Sequence, residues 1–268
     1  MILALAAAAA TLTVRGDRLY VPARINGVAI EAVLDSAAEA TIIDDGFARR
    51  IGAGKGKAVI ARGSGGEAEA ELISDARIEA VGVKLTGQTI AVMDLEDLGK
   101  RLFGRKLNAI VGRELFDAAR LAIDIEAGTI GAIPRSPRPQ GARLALRPHL
   151  GIETVPMRIN GVRVRAEFDL GNGSDLLIGK AFAQRSGLFQ RARATERGGG
   201  IGGEIERKVL TIRSVRLAGM TFRNVRAAID EQANAADANV GVKLLRHFRI
   251  VTDFPQRAVW LQVRRKQI

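Results

Sequence analysis

The segment Val21-Pro22-Ala23-Arg24-Ile25-Asn26-Gly27-Val28 returns as Val155-Pro156-Met157-Arg158-Ile159-Asn160-Gly161-Val162, a shift of 155 − 21 = 134 residues. The same shift carries Asp35 onto Asp169. Near the end of each half, Val111-Gly112-Arg113-Glu114-Leu115 with Asp124 corresponds to Val240-Gly241-Val242-Lys243-Leu244 with Asp253, now shifted by 253 − 124 = 129 residues. A repeat in this order is one supersecondary unit made twice. The change of shift belongs in loops, which tolerate short insertions and deletions.

Each copy opens on a hairpin signal, an apolar stretch, Asn-Gly, and a second alternating stretch. Val28, Ile30, Ala32 and Leu34 recur with period two, which buries one face of a strand and leaves Asp35 at its end. Val162, Val164, Ala166 and Phe168 deliver Asp169 to the same place. Short helices are expected over 44–51 and 179–186, ending near Gly52 and Gly187. A glycine-rich segment follows in each half: Arg62-Gly63-Ser64-Gly65-Gly66, then Gly198-Gly199-Gly200-Ile201-Gly202-Gly203. Neither ends in Gly-Lys-Ser/Thr, and strand-like alternation follows where a phosphate loop would enter a helix, so both read as hairpin tips. Further strands are expected at 76–81, 88–93, 213–217 and 225–229, and Gly112 and Gly241 each begin a brief helix before one last strand. Pro134-Arg135-Ser136-Pro137-Arg138-Pro139-Gln140-Gly141 cannot continue a strand ladder. The expected organisation is a first lobe over 11–133, a linker over 134–149 and a second lobe over 150–268.

Composition narrows the chemistry. The 268 residues include no cysteine, and only His149 and His247 carry imidazole, so disulfides and thiolate chemistry are excluded and function must rest on oxygen groups. The net charge is +12, from 41 basic and 29 acidic residues. The densest basic runs, 135–147 and Arg264-Arg265-Lys266, are not interleaved with aromatics for stacking on bases, so no nucleic-acid partner is expected and the charge reads as a solubilising surface. Residues 2–10 are apolar but far short of the roughly 20 residues that cross a bilayer, and no stable membrane insertion is expected. They look like the core of an export signal, with Ala8-Ala9-Ala10 as a small-residue cleavage site before Thr11, although the usual basic start is missing. A periplasmic or secreted location is the expectation, with residues 1–10 as the remnant of that signal.

The order of strand, Asp-Ser/Thr-Gly-like turn, glycine-rich hairpin, apolar-Gly turn and helix resembles a lobe of the retropepsin-like aspartic peptidases. Two such lobes in one chain resemble a bilobal, pepsin-like architecture, all-β with short helices. The residues carrying the resemblance are Leu34-Asp35-Ser36-Ala37-Ala38 with Thr41, Phe168-Asp169-Leu170-Gly171, Ile110-Val111-Gly112 and Asn239-Val240-Gly241, and it spans nearly all of 12–264. The resemblance implies a catalytic pair, Asp35 and Asp169, acting on a peptide or protein substrate without metal or cofactor. It also implies flaps at Gly63, Ser64, Gly65 and Gly66 and at Gly200, Ile201, Gly202 and Gly203. Two lobes can complete such a site in a monomer. Neither turn keeps the full family pattern of Asp, Ser or Thr, Gly. Ala37 stands in the glycine position, where an added Cβ is expected to crowd the turn. Leu170 stands in the hydroxyl position and cannot hydrogen-bond across the lobes as Gly171's family neighbour would. A second expectation therefore stands beside the peptidase: a catalytically degenerate module that binds peptides or proteins.

Taken singly, Asp35 and Asp169 each read as an ordinary turn residue; their matched placement in two copies is what favours function. Asp124 and Asp253 repeat equally well but lie outside the turn motif and are assigned to strand ends. Asp44-Asp45 caps a helix. Asp94, Glu96 and Asp97 lack the spacing and glycine of a calcium loop. His149, beside Pro148, and His247, in a short helix, have no nucleophile partner, so a serine-type triad is not supported.

Overall fold

Asn26 and Gly27 have φ of 48° and 83°, and Asn160 and Gly161 have 48° and 86°, the paired positive φ that a two-residue type I′ turn requires. They join strands Arg18–Ile25 to Val28–Leu34 and Ile152–Ile159 to Val162–Phe168. The computed structural model describes residues 9–264, so most of the export-signal segment lies outside the described residues. Burial deepens along each second strand. Val28 and Val162 are exposed beside the turns, whereas Leu34 and Phe168 are fully buried before the aspartates. Alternation ends at Val33, which is also buried, because a second apolar cluster with Leu95, Leu98 and Phe103 covers the other face of the strand end.

Each lobe is an eight-stranded sheet with the same spatial order. In the first it runs Thr13–Arg15, Arg18–Ile25, Val28–Leu34, Ala109–Val111, Ile42–Asp44, Val83–Met93, Gly66–Ala80 and Lys57–Gly63. The far end of Gly66–Ala80 folds back to pair with Arg18–Ile25, curling the sheet upon itself. The alternating stretch after Gly66 and the strand expected at 76–81 are one strand, irregular between Ile73 and Ile78. In the second lobe, Ile205–Leu217 likewise joins the alternating stretch after Gly203 to the strand expected at 213–217. The early helices are Asp45–Arg50, capped by the Asp44 carboxylate accepting from Phe47 N at 3.2 Å, and Lys180–Arg185. His247 falls just past helix Val242–Leu245, with its ring edge-on to Phe222.

Two features go beyond the sequence pattern. The first lobe inserts helix Glu96–Leu98 and a π-helical turn, Gly99–Phe103. Each half also ends in two strands where the pattern predicts one: Leu121–Asp124 with Thr129–Ala132, and Phe248–Asp253 with Ala258–Val263. These strands build a six-stranded sheet across the lobes, with Leu121–Asp124 and Phe248–Asp253 antiparallel at its centre and Ala10–Thr11 and Ala142–Ala145 at its edges. Within the expected linker, 142–149 thus supplies Ala142–Ala145 and also Arg147–His149, while the proline-rich 134–141 forms no strand. One apolar core runs from Val21 and Leu34 through Ile123 and Ile250 to Phe168 and Ile229.

The shared sheet ends on a buried ion pair. Arg120 Nε donates to Asp253 Oδ2 at 3.0 Å, with Asp253 fully buried and Arg120 nearly so. Arg120 also donates to the carbonyl of Arg135 at 2.5 Å and lies 5.2 Å from the Trp260 ring. Removing one member of a buried pair strands the other charge. Arg120→Met is therefore expected to destabilise the protein by about 3 kcal/mol, measured as a lower midpoint in urea unfolding, because half-exposed Arg135 is the only other cation on Asp253 among the described residues.

Candidate active site

Asp35 and Asp169 begin the turns after the two matched strands. Asp35 N donates to Val111 O at 3.0 Å and Asp169 N to Val240 O at 3.2 Å, so each turn is anchored to the apolar-Gly strand of its own lobe. The turns then close identically. Asp35 Oδ1 accepts from the N–H groups of Ala37 and Ala38 at 2.8 and 3.1 Å, and Asp169 Oδ1 from those of Gly171 and Asn172 at 2.8 and 2.9 Å. The crowding expected at Ala37 does not occur: its φ is not positive, so its Cβ is unstrained. Gly112 and Gly241 are required where the chain passes behind the turns. A Cβ on Gly112 would meet Ala40 backbone at 2.6 Å, and one on Gly241 would meet Ser174 O at 2.2 Å.

The lobes bring the two aspartate turns together. A Cβ on Gly171 would lie 2.2 Å from the Asp35 carboxyl carbon, so only glycine lets the second turn pack on the first carboxylate. Buried Ser36 donates its hydroxyl proton to Phe168 O at 2.8 Å and accepts from Leu170 N at 3.0 Å. Leu170 is fully buried in the core and has no hydroxyl to return the bond. One side of the cross-lobe clasp is therefore present.

Burial and mutual repulsion dominate the electrostatics. Burial, reinforced by the Asp169 charge, pushes the Asp35 carboxyl up to about 7, and burial also raises Asp169. Arg18 opposes both shifts, and burial holds its guanidinium below the usual range. Arg18 Nη1 donates to Gly171 O, and the guanidinium carbon lies 5.4 Å from the Phe103 ring. A third carboxyl is near: burial raises Glu167 to about 7. Asn239 Nδ2 donates to Asp169 Oδ2 at 2.7 Å and to Glu167 Oε2 at 3.0 Å.

Arg18, Glu167 and Asn172 went unread in the sequence, and Asn239 was read only as part of an apolar-Gly turn. A signal existed in the copies themselves. At the repeat offsets, Glu167, Asn172 and Asn239 correspond to Val33, Ala38 and Ile110, so polar residues replace apolar ones at three matched positions.

The glycine-rich segments form hairpin tips that meet. Gly65 N donates to Ile201 O at 2.9 Å, and a Cβ on Gly202 would lie 2.3 Å from Gly66 backbone. Side chains fasten each tip to the opposite lobe. Arg207 donates to Ser64 O at 2.9 Å, Gln232 to Gly63 O at 2.8 Å and Arg101 to Gly200 O at 3.1 Å. Gly203 O sits against Gly65, and Ile201 packs on the first-lobe cluster that contains Val33 and Ile110.

The other residues singled out lie elsewhere. Asp124 and Asp253 end strands, Glu96 and Asp97 pair with Lys100 and Arg101, and His149 Nε2 meets Asn234 O at 3.0 Å. A groove of about 1220 Å³ opens on the shared sheet, away from the aspartates, and its arginines 246, 249 and 264 are paired with acidic residues. Among the described residues no group of acidic and histidine side chains is arranged to hold a metal ion, and no helix is long and apolar enough to cross a membrane.

A solved retropepsin-like aspartic protease from Rickettsia conorii is similar at 23% identity, over 44% of this chain and 87% of that chain, with a TM-score of 0.37. No curated protein matches. The model of the family described as aspartyl protease matches twice, at residues 21–107 and 155–244, once on each copy of the repeat. With two retropepsin-like lobes and more than half its length matched, the chain belongs to the aspartyl protease family.

Proposed function

We propose that the protein is an aspartic endopeptidase in which Asp35 and Asp169, one from each lobe, activate water for attack on a peptide bond. The observation that carries this reading is the packing of one aspartate turn on the other carboxylate, with Gly171 against Asp35. Two carboxyls so placed in a buried seam cannot both ionise readily and share one proton. The ionised partner takes a proton from water as the oxygen attacks the scissile carbonyl. The protonated partner hydrogen-bonds the developing oxyanion. Collapse of the tetrahedral intermediate breaks the C–N bond, and a proton passes to the leaving nitrogen. The hairpin tips would open to admit an extended peptide and close to exclude water.

One observation favours a second reading, a peptide- or protein-binding module without turnover. Leu170 is buried where the family carries a hydroxyl, so the clasp through Ser36 is one-sided. The apolar run at residues 2–10 supports export to the periplasm or beyond.

Cleavage of a diverse peptide library should be favoured in acid and fall as pH rises through about 7, where the Asp35 proton is lost. Asp35→Asn and Asp169→Asn should each lower kcat by about 10²–10⁴-fold with the fold intact by circular dichroism; full activity in either variant refutes the pair. If folded wild type is silent at every pH, the binding reading predicts that Leu170→Thr raises cleavage, and no gain in a folded variant dismisses scaffold loss as the cause. Fractionation of cells carrying a C-terminally tagged chain should place it outside the cytoplasm; recovery only in the cytoplasm removes the export proposal.

A further inference from the structure

The two aspartates are equivalent by repeat but not by environment. Asp35 accepts two backbone N–H bonds. Asp169 accepts the same two and a third, from the Asn239 side chain to its other oxygen. The first lobe has no counterpart, because the matched position is Ile110, buried in an apolar cluster with Val33.

A relay of hydrogen bonds sets the direction of the Asn239 amide. Ser174 donates both its N–H, at 2.9 Å, and its hydroxyl, at 2.7 Å, to Asn172 Oδ1. Asn172 Nδ2 then donates to Asn239 Oδ1 at 2.7 Å. With its oxygen so engaged, Asn239 must turn its two N–H groups toward the carboxyls, one to Asp169 and one to Glu167. A partly buried chain of this kind reinforces each successive donor.

We propose that Asn239 is a positioning residue that selects Asp169 as the ionised partner and Asp35 as the protonated partner of the pair. The structural claim stands on these bonds; its catalytic meaning, Asp169 as base and Asp35 as acid, rests on the peptidase reading above. Among the described residues no charged side chain hydrogen-bonds either aspartate. Arg18, on Arg18–Ile25, attracts both aspartates, Asp169 the more, and so works in the same direction as Asn239. Glu167, on Val162–Phe168, sits behind Asn239 and bears on Asp169. Asp230, ending Met220–Asp230, and His149, on Arg147–His149, face Glu167 with opposite signs. Once ionised, Glu167 disfavours a charge on Asp169, and the Asn239 N–H directed at Asp169 offsets it.

The test is a carbon-13 titration of the aspartate side-chain carboxyls in the intact chain, beside the pH profile of peptide cleavage. In wild type the lower step should belong to Asp169 and the upper to Asp35. Asn239→Leu should move the Asp169 step up by about 1–2 pH units, as expected for loss of a hydrogen bond to a charged group. The acid limb of kcat/KM should rise with it. An Asn239→Leu variant that is merely less stable, with both steps in place, overturns the proposal. Should that variant fail to fold, Glu167→Gln keeps an oxygen for Asn239 and removes one carboxyl titrating near neutrality. Asp169 should still ionise first, and Asp35 ionising first in it or in wild type overturns the proposal. A wild type that titrates in the expected order but cleaves nothing supports this assignment while refuting the peptidase reading.

Discussion

Two carboxyls that disfavour each other's charge are brought near one another at the seam between two lobes, and much of the chain serves that requirement. Burial raises the cost of charging either one, so the seam must be held by bonds that outlast the repulsion. The Ser36 hydroxyl contributes two, to Phe168 O and from Leu170 N, and Arg18 adds a charged donor to Gly171 O. Each neutral bond is worth about 1 kcal/mol net. That is too little to hold two lobes alone. The larger share comes from the apolar core that continues from one lobe into the other and from the shared six-stranded sheet.

The copies have diverged around the two aspartates. Around Asp35, the insertion carrying Leu95, Leu98 and Phe103 covers an apolar face formed by Val33 and Ile110. Around Asp169, the corresponding face is polar, with Glu167, Asn172 and Asn239 linked by hydrogen bonds. The backbone frame nevertheless agrees turn for turn: each aspartate N–H reaches the strand that precedes Gly112 or Gly241, and each carboxylate closes the same two-bond loop. Backbone geometry is preserved by the glycines and strand register, while the side chains beside the aspartates differ.

Legibility followed the range of the interactions. Asn26-Gly27 and Asn160-Gly161 reveal hairpins because the turn conformation is written in two adjacent residues. The aspartate positions follow by counting along a strand of period two. The shared sheet was less visible, since Leu121–Asp124 and Thr129–Ala132 are four residues each and gain stability from partners far away in the chain. Arg18 carries no local signal for the same reason: its partner, Gly171, lies 153 residues away. Ala37 led to an expectation of crowding that the turn avoids by holding φ negative. The exchange of Ile110 for Asn239 between the copies is legible in the sequence, but its meaning lies in the direction of the side chain.

Fusion of the two lobes through 134–149 also changes what substitution can do. In a homodimer every change is made twice and symmetry returns at the seam. With both copies in one covalent chain, Ile110 and Asn239 can differ, Ser36 can bond one way across to Leu170, and a loop can thicken beside one carboxylate only. The polypeptide link thus gives the seam between the two aspartates a left and a right.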